Sequence, residues 1–73
     1  PIGTIMLDNF LPAQAKRAIA RIRRINRKTK IELSGGITLD NLRQYAKLGA
    51  DMISMGSLTK HAVQKDFGLE LIP

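Results

Sequence analysis

Two glycine-bearing segments, Ser34-Gly35-Gly36 and Gly56-Ser57, are the first residues in this chain of 73 whose types and spacing suit chemistry. Each follows a short apolar run and precedes a place where a helix can start. Glycine there lets backbone approach an anion closely while free N–H groups face it, the arrangement that holds phosphate at strand ends. The same glycines also permit plain tight turns, and it takes two successive loops to favour the anion reading. Asp8 closes an earlier apolar run, Thr4-Ile5-Met6-Leu7. Its carboxylate could bind a sugar diol or a divalent metal, or stabilise developing positive charge, and it could equally cap the turn that follows. Glu32 stands two residues before the glycines, where an ionised carboxylate calls for a cationic partner from elsewhere, either as part of a site or as a buried ion pair. His61 is the only histidine. Without cysteine or a spaced acidic partner it makes a poor metal site and reads as a surface residue.

The elements that must position these residues follow from periodicity. Residues 4–8 read as a strand and Asn9 to Pro12 as a turn into a helix, with Pro12 suited to the first helical turn. Leu11, Ala15, Ala18, Ile19, Ile22 and Ile25 recur at three- and four-residue steps, the stripe of a helix that buries one face. Residues 30–34 form a second strand, Gly35-Gly36 break it, and Thr38 is placed to cap a helix running to about Leu48, with Gly49 at its end. Residues 51–56 form a third strand. Ser57 to His61 is expected to be a short helical turn, and 67–72 a fourth extended piece. Tyr45 and Phe67 read as packing residues.

Strand starts near 4, 29 and 51 describe βα repetition and hence a parallel sheet. Alternate strand residues face opposite ways. Ile5, Leu7, Ile31, Leu33, Ile53 and Met55 share one wholly apolar face. Met6, Asp8, Glu32, Ser34, Met52 and Ser54 share the other, which turns polar toward the carboxyl ends. A doubly wound sheet needs apolar residues on both faces, whereas a barrel leads its inner face up to a polar site. The expected fold is therefore α/β, a parallel β/α barrel fragment of about two and a half βα units.

Charge is distributed unevenly. Residues 1–30 hold eight basic side chains against Asp8, a net of +7, and residues 31–73 hold four bases against five acids. Such a run, Lys16 to Lys30, can mark a polyanion-binding surface, but the clean apolar stripe makes it the solvated face of an outer helix. Three aromatic residues give no stacking platform, so nucleic acid is not the expected partner. No apolar stretch is long enough for a membrane helix, which leads to the expectation of a cytoplasmic protein. With no cysteine, disulfides are excluded. A 73-residue chain that begins at Pro1 is expected to be part of a longer polypeptide.

The strings Ile5-Met6-Leu7-Asp8-Asn9, Ile31 to Asn41 and Ile53-Ser54-Met55-Gly56-Ser57-Leu58-Thr59, in this order and spacing, closely resemble the quinolinate phosphoribosyltransferase family, carboxylating enzymes of NAD biosynthesis. The resemblance runs from about Ile5 to Leu71 and covers the last part of the family's barrel. It implies that residues 1–73 are the C-terminal portion of a barrel domain, with an N-terminal domain and earlier strands outside this chain. The implied reaction converts quinolinate and phosphoribosyl pyrophosphate to nicotinate mononucleotide, pyrophosphate and carbon dioxide. Magnesium enters with phosphoribosyl pyrophosphate and meets Asp8. Asp8 matches the family's acidic residue near the ribose and Glu32 a barrel-interior acid that supports the basic site, both thereby catalytic candidates, while a second family acid lies upstream of this chain. Ser34, Gly35, Gly36, Gly56 and Ser57 match its phosphate loops. The family commonly has Leu-Thr-His after the last glycine loop, whereas Lys60 here precedes His61; both remain candidates for meeting an anion. The basic cluster that grips quinolinate lies upstream, so this chain alone is expected to be inactive and to work with the rest of its own chain in a dimer or larger homo-oligomer. The alternatives are a non-transferase barrel homologue associated with molybdenum transport and a small basic nucleic-acid-binding module.

Overall fold

The apolar run Thr4–Asp8 forms strand β1, and Lys30–Ser34 forms β2 beside it in parallel, with Ile5 opposite Ile31 and Asp8 opposite Ser34. The computed structural model describes residues 3–56, 58–65 and 68–73, with side chains omitted for residues 64 and 65. Between these strands lies helix α1, Pro12–Ile25. Proline sits in its first turn, where no intrahelical N–H is required, and the Gln14 side chain accepts a hydrogen bond from the Leu11 N–H at 3.0 Å. A short helix α2, Leu42–Ala46, leads to strand β3, Met52–Met55, which pairs in parallel with β2.

The expected parity holds. Leu7, Ile31, Leu33 and Ile53 are buried with Ala15 and Ile19 of α1, Tyr45 of α2, and the loop residues Ile37 and Ala50. Ile31 and Ile53 are wholly inaccessible to solvent. Each such side chain stabilises the fold by about 1.5–3 kcal/mol through removal from water. Both helices therefore cover one face, as right-handed crossovers between sequential parallel strands require. The opposite face of the sheet carries Met6, Asp8, Glu32, Ser34, Met52 and Ser54, none of them buried.

Three expectations need correction, and the extended tail holds. The α1 stripe is shorter than the periodicity suggests, because Leu11 and Ile25 lie at the helix ends beyond the sheet, 65% and 87% exposed. The second helix does not begin at Thr38: the Asn41 side chain donates to the Gly36 carbonyl at 2.9 Å and accepts from the Thr38 N–H at 2.8 Å. Those two bonds hold 36–41 as a turn, so α2 begins only at Leu42 and ends three residues before Gly49. The turn of helix expected before His61 is instead strand β4, Leu58–Lys65, antiparallel to β3, with Ser57 outside the described residues. Pairing with β3, from Leu58 opposite Met55 to His61 opposite Met52, decides the strand. Finally, the extended tail is β5, Gly68–Ile72, which pairs antiparallel with β4. Phe67 lies outside the described residues. The sheet order is β1-β2-β3-β4-β5, three parallel strands followed by an antiparallel hairpin.

Candidate functional site

At the carboxyl ends of β1 and β2 the register sets Asp8 beside Ser34. The Ser34 hydroxyl donates to Asp8 Oδ1 at 3.1 Å, and the Asn9 N–H donates to the Ser34 carbonyl at 2.9 Å. Asn9 has φ +61°, and Gly35 and Gly36 have φ +81° and +73°. Gly35 is required for space as well as conformation, since a Cβ there would stand 2.5 Å from Asn9 Oδ1 and 2.6 Å from Asp8 Oδ1. A hydroxyl has one proton to give. Ser34 spends it on Asp8, so anion recognition at this loop falls to backbone N–H groups. Among the described residues no acceptor takes a hydrogen bond from the Gly35 or Gly36 N–H.

Two residues toward the amino end of β2 from Ser34, Glu32 lies on the same open face and is half-buried. Within this chain its described partner is a hydroxyl. The Ser54 hydroxyl of β3 donates to Glu32 Oε2 at 2.5 Å, and Ser54 Oγ lies 3.1 Å from Thr59 Oγ1 of β4. Ser54 and Thr59 are direct antiparallel neighbours. Neither is among the candidates picked out by motif, although the parity that places Ser54 beside Glu32 was available in the sequence. Thr59 could be found only once residues 58–65 are known to form a strand.

The last loop is less complete. Gly56 has φ +60°, and Ser57 lies outside the described residues. Lys60 is opposite Ile53, on the helix-covered side of the sheet, and is not brought to the site. His61 is opposite Met52 on the open face, but toward the amino end, where it lines a small groove with Lys30, Asp51 and Val63. The structure thus unites Asp8, Ser34 and Gly35, places Glu32 nearby on the same face, and leaves Lys60 and His61 outside that cluster. No group of three carboxylate or imidazole side chains that could cage a metal occurs among the described residues.

The amino end of the sheet is built for a different purpose. Arg23 Nη2 meets Asp51 Oδ2 at 2.9 Å and the Gly49 carbonyl at 2.9 Å, while Nη1 reaches the Thr29 carbonyl at 2.6 Å. The same Asp51 oxygen accepts the Ile31 N–H at 2.9 Å. Burial alone would raise the Asp51 carboxyl, but the Ile31 N–H and the Arg23 and Lys30 charges outweigh it, holding the group below the ordinary value of 3.8. Arg23 is therefore a structural tie within the basic run, which residue counting alone treats as uniform.

With this geometry in place, comparison with known proteins is informative. A profile of the quinolinate phosphoribosyl transferase C-terminal domain matches residues 2–70. The chain belongs to the quinolinate phosphoribosyl transferase family. Within that family it is 44% identical over 72 residues to a probable nicotinate-nucleotide pyrophosphorylase (carboxylating) of Methanocaldococcus jannaschii, covering 93% of this chain and 25% of the relative. It is 42% identical to the nicotinate-nucleotide pyrophosphorylases (carboxylating) of Rattus norvegicus and Homo sapiens, with 92% of this chain covered in each case and 22% and 23% of those proteins. The chain spans about a quarter of the length of these relatives. No solved structure matches it. The mixed α/β sheet agrees with the C-terminal domain of the quinolinate phosphoribosyl transferase family.

Proposed function

We propose that this chain is the C-terminal portion of the β/α barrel domain of a carboxylating nicotinate-nucleotide pyrophosphorylase, supplying the phosphate and ribose end of its site. The enzyme joins quinolinate to phosphoribosyl pyrophosphate and releases carbon dioxide and pyrophosphate. The observation that carries this reading is the cluster of Asp8, Ser34 and Gly35 at the carboxyl ends of adjacent parallel strands, inside the family match. In parallel β/α architectures, ligands bind at that end of the sheet.

The residues divide the task by chemistry. Gly35 and Gly36 hold the 5′-phosphate through backbone N–H groups, with Gly56 and Ser57 contributing from the next loop. Asp8, kept in place by the Ser34 hydroxyl, faces the ribose, where a carboxylate holds hydroxyls and stabilises positive charge developing at the anomeric carbon. Glu32 is the second acid on this face. Magnesium enters as part of the phosphoribosyl pyrophosphate substrate. The groups that grip quinolinate come from other parts of the same enzyme, which acts as a cytoplasmic dimer or larger homo-oligomer. No helix of the described residues is long and apolar enough to cross a membrane.

The test is to incubate the full-length polypeptide carrying this segment with quinolinate, phosphoribosyl pyrophosphate and magnesium, and to measure nicotinate mononucleotide and carbon dioxide. The expected result is activity in the full-length protein, none in the 73-residue chain, and a loss of about a hundredfold in kcat for Asp8→Asn. Full-length protein that forms no product, or Asp8→Asn that works at the parent rate, refutes the proposal.

A further inference from the structure

Glu32 stands on the open face of the sheet with Ser54 as its described side-chain partner, and Ser54 is in turn in contact with Thr59. A carboxylate oxygen accepts, and that sets the direction of the hydrogen bonds in this group. Ser54 has one hydroxyl proton, and Glu32 Oε2 at 2.5 Å claims it. The 3.1 Å contact between Ser54 and Thr59 must then be donated by Thr59. The result is a chain of donors from β4 through β3 to β2, each hydroxyl polarising the next and ending on one carboxylate oxygen. Glu32 Oε1 has no partner among the described residues.

We infer that Ser54, backed by Thr59, is a positioning residue that locks the Glu32 carboxylate in one rotamer with Oε1 presented to the open face. This rests on the function proposed above, in which Glu32 is one of the two acids beside the bound substrates. Two features favour positioning over a purely structural role. The network lies on the face that no helix covers, so it closes no core gap; Ile53, between Met52 and Ser54, makes the core contacts from the opposite face. Furthermore, a long glutamate side chain on an open face would otherwise sample several rotamers, and a site acid held within about half an ångström of its working position needs such support.

The experiment uses the full-length protein with three variants, Ser54→Ala, Ser54→Thr and Thr59→Val, measured by kcat and KM for phosphoribosyl pyrophosphate and by NMR order parameters of the Glu32 side-chain carbons. Ser54→Ala is expected to lower kcat about tenfold with KM changed less than twofold, and to lower the Glu32 order parameter. Ser54→Thr keeps the hydroxyl and restores both. Thr59→Val keeps the volume, removes the rear donor, and lowers kcat about threefold. Parent-like kcat and an unchanged order parameter in Ser54→Ala overturn the inference, as does a failure of Ser54→Thr to restore either. If the parent shows no transferase activity, the functional reading falls. The order parameter then decides the positioning claim alone, a drop in Ser54→Ala upholding it and an unchanged value overturning it.

Discussion

Replacing Gly35 by alanine tests whether the Asp8–Ser34 loop is as tightly built as its geometry indicates. Two costs can be separated. The first is conformational: φ +81° is natural for glycine and costs an alanine about 1 kcal/mol. The second is steric: the new Cβ would lie 2.5 Å from Asn9 Oδ1 and 2.6 Å from Asp8 Oδ1, well inside contact distance. Both are side-chain atoms of short residues, and moving Asp8 Oδ1 breaks the hydrogen bond it accepts from Ser34. Moving Asn9 and Asp8 adds about 1–2 kcal/mol, within the range for overpacking. Gly56 supplies the control, since its φ of +60° carries the same conformational cost but no described atom lies within 4 Å of its Cβ position. Thermal unfolding of the 73-residue chain, followed by circular dichroism, should therefore fall by roughly 10–15 °C for Gly35→Ala and roughly 5 °C for Gly56→Ala. Equal losses in the two variants would show that Asn9 and Asp8 yield freely and would refute the argument for a rigid loop.

Other consequences follow from the same structure. Arg23→Met keeps the aliphatic stem and removes the hydrogen bonds to Thr29, Gly49 and Asp51; urea unfolding should show a loss of about 2 kcal/mol, whereas loss of an ordinary exposed arginine changes stability by under about 0.5 kcal/mol. Because folding lowers the Asp51 pKa, its contribution is complete above the ordinary value of 3.8 and is lost as pH falls through the lower folded value. The stability gap between parent and Asp51→Asn should thus be constant above about pH 5 and shrink below it, and a gap that grows on acidification would contradict the charge argument. Ile53→Ala, at a position with no solvent exposure, should cost about 2–5 kcal/mol by denaturant unfolding, while Ile25→Ala, at a helix end 87% exposed, should stay within about 0.5 kcal/mol.

What was legible in the sequence depended on whether the signal was periodic or local. The three parallel strands and their two faces followed from alternation at Ile5 to Asp8, Ile31 to Ser34 and Met52 to Met55, because parity is fixed by strand geometry alone. The site at the end of β1 and β2 followed from glycine and aspartate types at strand ends. By contrast, the extent of α2 was set by the Asn41 side chain closing a turn, an interaction that spacing does not encode. The strand at Leu58–Lys65 was missed because Thr59, His61 and Val63 alternate too weakly in hydropathy to announce a sheet. The Arg23–Asp51 pair is not legible for a different reason: the two lie 28 residues apart, linked by no repeat or motif, and only the crossover brings them together.

The two ends of this sheet divide stability from chemistry. At the carboxyl end, Asn9, Gly35, Gly36 and Gly56 all hold positive φ, which glycine adopts freely and asparagine at modest cost. At the amino end, one guanidinium ties the end of α1 to the turns before β2 and β3, and the Asp51 carboxylate it holds also receives a β2 backbone N–H. Such glycine loops adopt one conformation only when the flanking strands hold them in place. Here the strands are held by the buried Ile31, Leu33 and Ile53, which fix strand register, and by the Arg23–Asp51 tie, which prevents those strands from sliding. A one-residue slip of β2 would move Ser34 away from Asp8 and turn Glu32 onto the apolar face. The register that buries the core is therefore the same register that assembles the site, so a substitution loosening the amino end should blunt function at the carboxyl end before it unfolds the chain.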